Sequence, residues 1–214
     1  MSEEFLNDLV YSKNVIEFVT VANEYCSFVE NSLNYSRFDF INKAHMMFPL
    51  LYLKACLLPE IDEETAETPE KYVNEVDYNF LLNKISGKLG RYDAYQEVFD
   101  EAIQFSETAI EANVSENICD IYQDLKDFLM VYRIGTIEIM SDALWECKNN
   151  FNTFWGQKLV NGLRALHAIR YGEFDVEEDA VDVKKQKPEV DKESWVSKHF
   201  NNYFEGEETG ENDL

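Results

Sequence analysis

The sequence predicts an all-α protein: an antiparallel bundle of about five to six helices over residues 1–172, then an acidic tail over 173–214, expected to be largely disordered. Three observations carry this. Apolar residues recur at i, i+3, i+4 and i+7 along several long windows. Those windows open on Ser, Asn or Thr and close on Gly or Pro, the capping and stopping residues of helices. With 45% hydrophobic and 14% aromatic residues in 214, the chain is also long and apolar enough to bury a core.

The first helix is expected over residues 12–33, with Val15, Phe18, Val19, Ala22, Cys26, Val29 and Leu33 as its buried stripe and Glu17 and Glu24 in solvent. A second starts at Ser36 or Asp39 and runs to about Leu58, before Pro59. It is apolar on nearly every side around residues 45–51, which predicts a central position, and Pro49 predicts a kink. His45 shares a face with Ile41, Phe48, Tyr52 and Cys56 and is expected to be a buried, hydrogen-bonded histidine.

Residues 60–70 are densely acidic and read as an exposed connection. Asn74 and Asp77 have the spacing of a capping box, so a third helix follows to Leu89 and stops at Gly90. Over 91–114 the aromatic and aliphatic spacing is irregular, which predicts a long connection with one helical turn. Ser115 is the expected N-cap of a fourth helix, whose stripe is Ile118, Ile121, Tyr122, Leu125, Phe128, Leu129 and Tyr132. Gly135 stops it and Thr136 caps a fifth, with Met140, Leu144, Cys147, Phe151 and Trp155 buried. Its last turns, 159–169, are apolar almost all round, again predicting a central helix. Trp155, Gly156, Gly162 and Ala165 are expected to close the bundle against the first two helices, since small residues let backbones approach.

After Gly172 the pattern is charged and lacks a core periodicity. Residues 194–204 differ: Trp195, His199 and Tyr203 share one face of a short helix, with Phe200 beside them. An acidic tail needs no such aromatics for solubility, so these four are the candidate partner-binding residues.

The formal charge is −23. Residues 172–214 hold 14 acidic and 5 basic side chains, so they supply −9 and the body retains −14. Such a surface repels phosphate backbones and anionic bilayers, so neither direct nucleic-acid binding nor membrane binding is expected. The apolar run over 46–58 is too short to span a bilayer and contains Lys54, and the N-terminus has no secretory pattern. Cys26, Cys56, Cys119 and Cys147 are widely spaced, without CxxC or CxxH pairs, which fits free thiols in a reducing cytoplasm rather than zinc or a redox dithiol.

Two readings of chemistry stand side by side. Asp120, Asp124 and Asp127 fall in one arc of the fourth helix, and Glu138, Asp142 and Glu146 form a second row on the fifth. Facing rows of carboxylates could hold a divalent cation. Both rows nonetheless point away from their own apolar stripes, and the expectation is a solvated face with no metal and no cofactor. A nucleotide pyrophosphohydrolase of the all-α type uses paired acidic steps, and Glu97–Asp100 with Asp124–Asp127 loosely supplies two. The basic residues that a triphosphate would require are missing beside them. No GxSxG or glycine-rich phosphate loop is present. Arg164, His167 and Arg170 form a basic turn that a helix C-terminus explains.

The runs at 12–19, 49–55, 115–127 and 154–167 resemble an uncharacterised bacterial family, domain-of-unknown-function family 5063, common in Bacteroides-like organisms. The resemblance spans about residues 11–171 and implies an all-helical cytoplasmic domain without an assigned activity. The reading preferred from the sequence is a non-enzymatic interaction module whose partner is another protein. The alternative is a divalent-metal-dependent enzyme using the helix carboxylates, with His45 or His167 as acid–base residue.

Overall fold

A computed structural model of the chain describes residues 9–60, 71–97 and 111–172; the expectations placed on residues 61–70, 98–110 and 173–214 lie outside these. Six α-helical segments are present among the described residues: α1 (Lys13–Glu30), α2 (Arg37–Cys56), α3 (Glu75–Leu89), α4 (Val114–Ile134), α5 (Ile137–Asn150) and α6 (Gly156–Tyr171). A π-helical turn, Phe151–Trp155, joins α5 to α6, so the last two are one continuous helical run. The fold class read from the sequence is the fold observed.

The caps show how local sequence sets the elements. Ser36 accepts the Asp39 amide and donates to its carboxylate, closing a capping box at the start of α2. Asn74 and Asp77 do the same for α3. Gly90, at φ 57°, ends α3 in a conformation that a side chain would strain. Gly135 differs from expectation: its backbone is extended rather than left-handed. What requires glycine there is space, because a Cβ would come 2.8 Å from Ile139 Cγ2.

α4 is the axis of the molecule. It packs against α1, α3, α5 and α6, and its predicted stripe is buried apart from the half-buried Leu129. It begins one residue before Ser115, which is not its cap. Ser115 is buried instead, with its amide and hydroxyl both bonded to the Asp93 carboxylate. The irregular 91–114 stretch includes a short antiparallel pair, Ala94–Gln96 with Glu111–Asn113, in the register Tyr95 opposite Ala112. Three-residue strands leave no period to read.

The two segments expected to be central, α2 and 159–169, lie at the surface. α2 packs between α1 and α6 and runs on through Pro49. Its buried side is Phe40, Ile41, Ala44, Met47, Phe48, Leu51 and Ala55. α6 buries Leu159, Gly162, Ala165, Leu166 and Ile169 and exposes Val160, Arg164 and His167. The predicted closure is there in part: Trp155 is fully buried and stacks on Phe18 of α1, and Gly162 lies against Phe48 of α2. Gly156 meets its own π turn instead, where a Cβ would strike the Phe151 carbonyl. The Trp155 indole N–H donates to the Cys147 carbonyl across that turn. No helix of the described residues is long and apolar enough to cross a membrane.

Candidate functional site

The carboxylate row of α4 is not a solvated face. Asp120, Asp124 and Asp127 follow one another at i, i+4 and i+7, and because α4 is the axis, the side carrying them is covered by neighbours. Asp127 is only 4% exposed and accepts the backbone amides of Tyr72 and Val73 at 2.8 and 2.9 Å, pinning the segment that leads into α3. Asp124 accepts the Asn150 side-chain amide at 2.8 Å. Asp120 takes the Tyr78 hydroxyl at 2.6 Å and the Lys158 ammonium at 2.7 Å. On α5 the second row divides: Asp142 is buried, Glu138 is exposed and bonded to the Thr136 hydroxyl, and Glu146 pairs with Lys71 at 3.0 Å.

Lys71 is the residue that sequence reasoning missed. Its ammonium lies 3.0 Å from Glu146 and 4.0 Å from Asp127, placing a cation among the acids of two helices. Burial lowers its proton affinity, but the Glu146 and Asp127 carboxylates more than reverse that. Burial also pushes Asp124 up to about 6, against the opposing pull of the Asn150 amide and Lys71. Asp127 is raised by burial too, with the Val73 and Tyr72 amides working the other way. The pocket lined by Lys71, Asp124, Asp127, Glu146, Cys147 and Asn150 encloses about 10 Å³, space for a single water. No group of three or more His, Cys, Asp or Glu among the described residues is arranged to hold a metal ion.

The two acidic steps considered for pyrophosphate chemistry are not seen together. Glu97 bonds the Tyr95 hydroxyl and the Asn161 amide, and Asp100 lies outside the described residues. Trp195, His199, Phe200 and Tyr203 lie outside them as well.

His45 is not a core histidine. It is half-buried on the α6 side of α2, with Nε2 3.4 Å from Nδ1 of the exposed His167, so one ring donates to the other. Tyr171 packs on both rings, and the Arg170 guanidinium sits over Phe38. Partial burial, then the neighbouring His167 and Arg170, lower the His45 pKa.

Beside this pair is a face of a different kind. Met46, Leu50, Leu53 and Leu57 are spaced four, three and four residues apart, so they fall in one arc of α2 and its C-cap. They are 63%, 43%, 54% and 44% exposed. Lys54, paired with Glu17 of α1 at 2.6 Å, borders the arc on one side; His45, against His167 of α6, and Tyr52, against Phe151 of the π turn, border it on the other. α2 carries Arg37, Lys43 and Lys54 against Asp39, and α6 carries Lys158, Arg164 and Arg170 with no acid. They are the two helices of net positive charge among the described residues. The signal was in the sequence: a helix apolar on every side, packed on an axis other than itself, must leave one apolar side outward.

The model of a family described as a domain of unknown function, DUF5063, matches residues 9–172. Among solved structures, protein BF1032 from Bacteroides fragilis, a structural-genomics target, is 42% identical with a TM-score of 0.69; the match covers 78% of this chain and 98% of that one. Among curated proteins, none matches.

Proposed function

The chain belongs to the DUF5063 family, and on that premise we propose that it is a non-enzymatic cytoplasmic module that binds another protein through the exposed apolar arc of α2. The observation that carries this is the arc itself: four large aliphatic side chains held in water on one rigid helix, where a monomer gains nothing from them. The net positive charge of α2, which carries the arc, adds selectivity for an acidic partner surface. The exposed free thiol of Cys56 beside the arc fits a reducing compartment. Nucleic acid and bilayer remain disfavoured by the charge of −23.

The alternative, a divalent-metal-dependent enzyme, draws on one feature: Asp124, raised to about 6 in a small pocket, has the proton affinity of a general base. Against it, the neighbouring carboxylates are committed to Lys71 and to backbone amides, and a nucleotide far exceeds the space.

A photocrosslinking residue at Leu53 in the full chain, expressed in the native host, tests the proposal. The same residue at Val76, 72% exposed on α3, is the control. The proposal expects an added-mass protein adduct from position 53 and none from position 76. Equal labelling, or none at 53, contradicts it. Release of pyrophosphate from nucleoside triphosphates with magnesium or manganese, abolished by Asp124→Asn, would favour the enzyme.

A further inference from the structure

We propose that the chain's own aromatic segment, residues 194–204, docks in cis on the Met46–Leu57 arc of α2 and holds it covered until a partner displaces the segment. The inference rests on the reading of that arc as the binding face. Four features identify this occupant. α6 ends at Tyr171, whose ring is 5.6 Å from His45, so the chain leaves the described structure one residue along α2 from Met46. Residues 173–193 then intervene, and a polar tether of that length reaches about 25 Å. The arc from residue 46 to residue 57 is shorter, about 16 Å at the helical rise, and an eleven-residue helix over 194–204 would match its length. Such a helix places Trp195, His199 and Tyr203 on one side, with Phe200 next to them, an apolar stripe facing an apolar stripe.

Charge selects the same surface. The aromatic segment itself carries only Lys198 and is followed by an acidic run, Glu205, Glu207, Glu208, Glu211 and Asp213, while residues 184–193 before it are mixed, four lysines against Glu189, Asp191 and Glu193. α2 and α6 are the net-basic helices among the described residues of an acidic chain, with Arg164 and Arg170 on α6 beside the point where the chain leaves the described residues. The acidic C-terminal flank is therefore drawn to this side and repelled from the rest. Alone, so short a helix is marginal in water; against the arc it gains the burial it lacks. Because the contact is intramolecular, a partner must compete with a high local concentration, which makes the tail a built-in competitor for the site.

The native protein carries the probe this requires. Cys26, Cys119 and Cys147 are buried and Cys56 is exposed next to Leu57, so a nitroxide reagent labels Cys56 selectively. In the isotope-labelled full chain, the amide signals of residues 195–204 should lose most of their intensity, recover on reduction of the nitroxide, and stay lost on tenfold dilution. Leu50→Glu with Leu53→Glu, both at exposed positions, should restore them without changing the spectrum of the bundle. Signals unaffected by the label overturn the proposal. So does broadening that appears only between labelled and isotope-enriched copies, which would assign the arc to a second chain. Failure here with a partner still captured at position 53 removes the tail and leaves the binding face standing. A docked tail with no partner captured removes the binding function instead.

Discussion

Gly162 of α6 lies flat against Phe48 of α2: a Cβ on the glycine would stand 2.7 Å from the ring. The close approach of the two helices depends on that missing side chain, and Phe48 is fully buried with Tyr25 on its other side. Gly162→Leu is expected to overpack the contact and destabilise the fold by about 1–3 kcal/mol. Urea unfolding measures it, and an unchanged midpoint would show that the helices are held apart by something else.

Asp124→Asn keeps the acceptor for the Asn150 amide and removes a charge that the folded state disfavours. Folding raises this group's pKa from the ordinary carboxylate range to about 6, so its protonated form stabilises the fold at low pH and that contribution is lost as pH rises through 6. The variant should therefore be more stable than the parent at pH 7.5, by roughly 1–2 kcal/mol, and no more stable at pH 4. A loss of stability at pH 7.5 would mean that the carboxylate is needed ionised.

Removing the cation tests the same cluster from the other side. Lys71→Met leaves Asp127 and Glu146 without their shared ammonium. Lys71 is about half exposed, so the expected cost at pH 7 is modest, about 1 kcal/mol. It should shrink at pH 5, where Asp124, raised to about 6 and within the field of Lys71, has taken up its proton. A cost that is the same at both pH values would contradict an electrostatic role.

The His45–His167 pair gives the opposite slope. The folded pKa of His45 is below the ordinary histidine value, so the unfolded chain binds the proton more readily. Stability is full above about pH 6.5 and falls as pH drops below it. His45→Ala should flatten part of the fall in melting temperature between pH 7.5 and 5.5. Parallel curves for variant and parent would place the proton uptake elsewhere.

The bundle was legible in the sequence where one face of a helix is apolar and the other is not. The α4 and α5 stripes, the capping box at Asn74 and the stop at Gly90 all follow from local chemistry. α2 was misread because all-round apolarity has the same pattern whether the extra side is buried or offered to a partner. The carboxylates were misread because their partners are remote: Lys71 lies 56 positions from Asp127, beyond anything periodicity reports. His45 was expected in the core for the same reason as α2, and its mate is 122 residues away.

The central claim is that the apolar arc of α2, and not the carboxylate cluster, is the working surface. Its most direct test is the affinity of the protein captured at position 53 for three versions of the full chain: the parent, Leu50→Glu with Leu53→Glu, and Asp124→Asn. The arc variant should lose binding by at least tenfold, about 1.4 kcal/mol, while Asp124→Asn binds as the parent does. Binding that survives the arc variant and is lost with Asp124→Asn would contradict the claim.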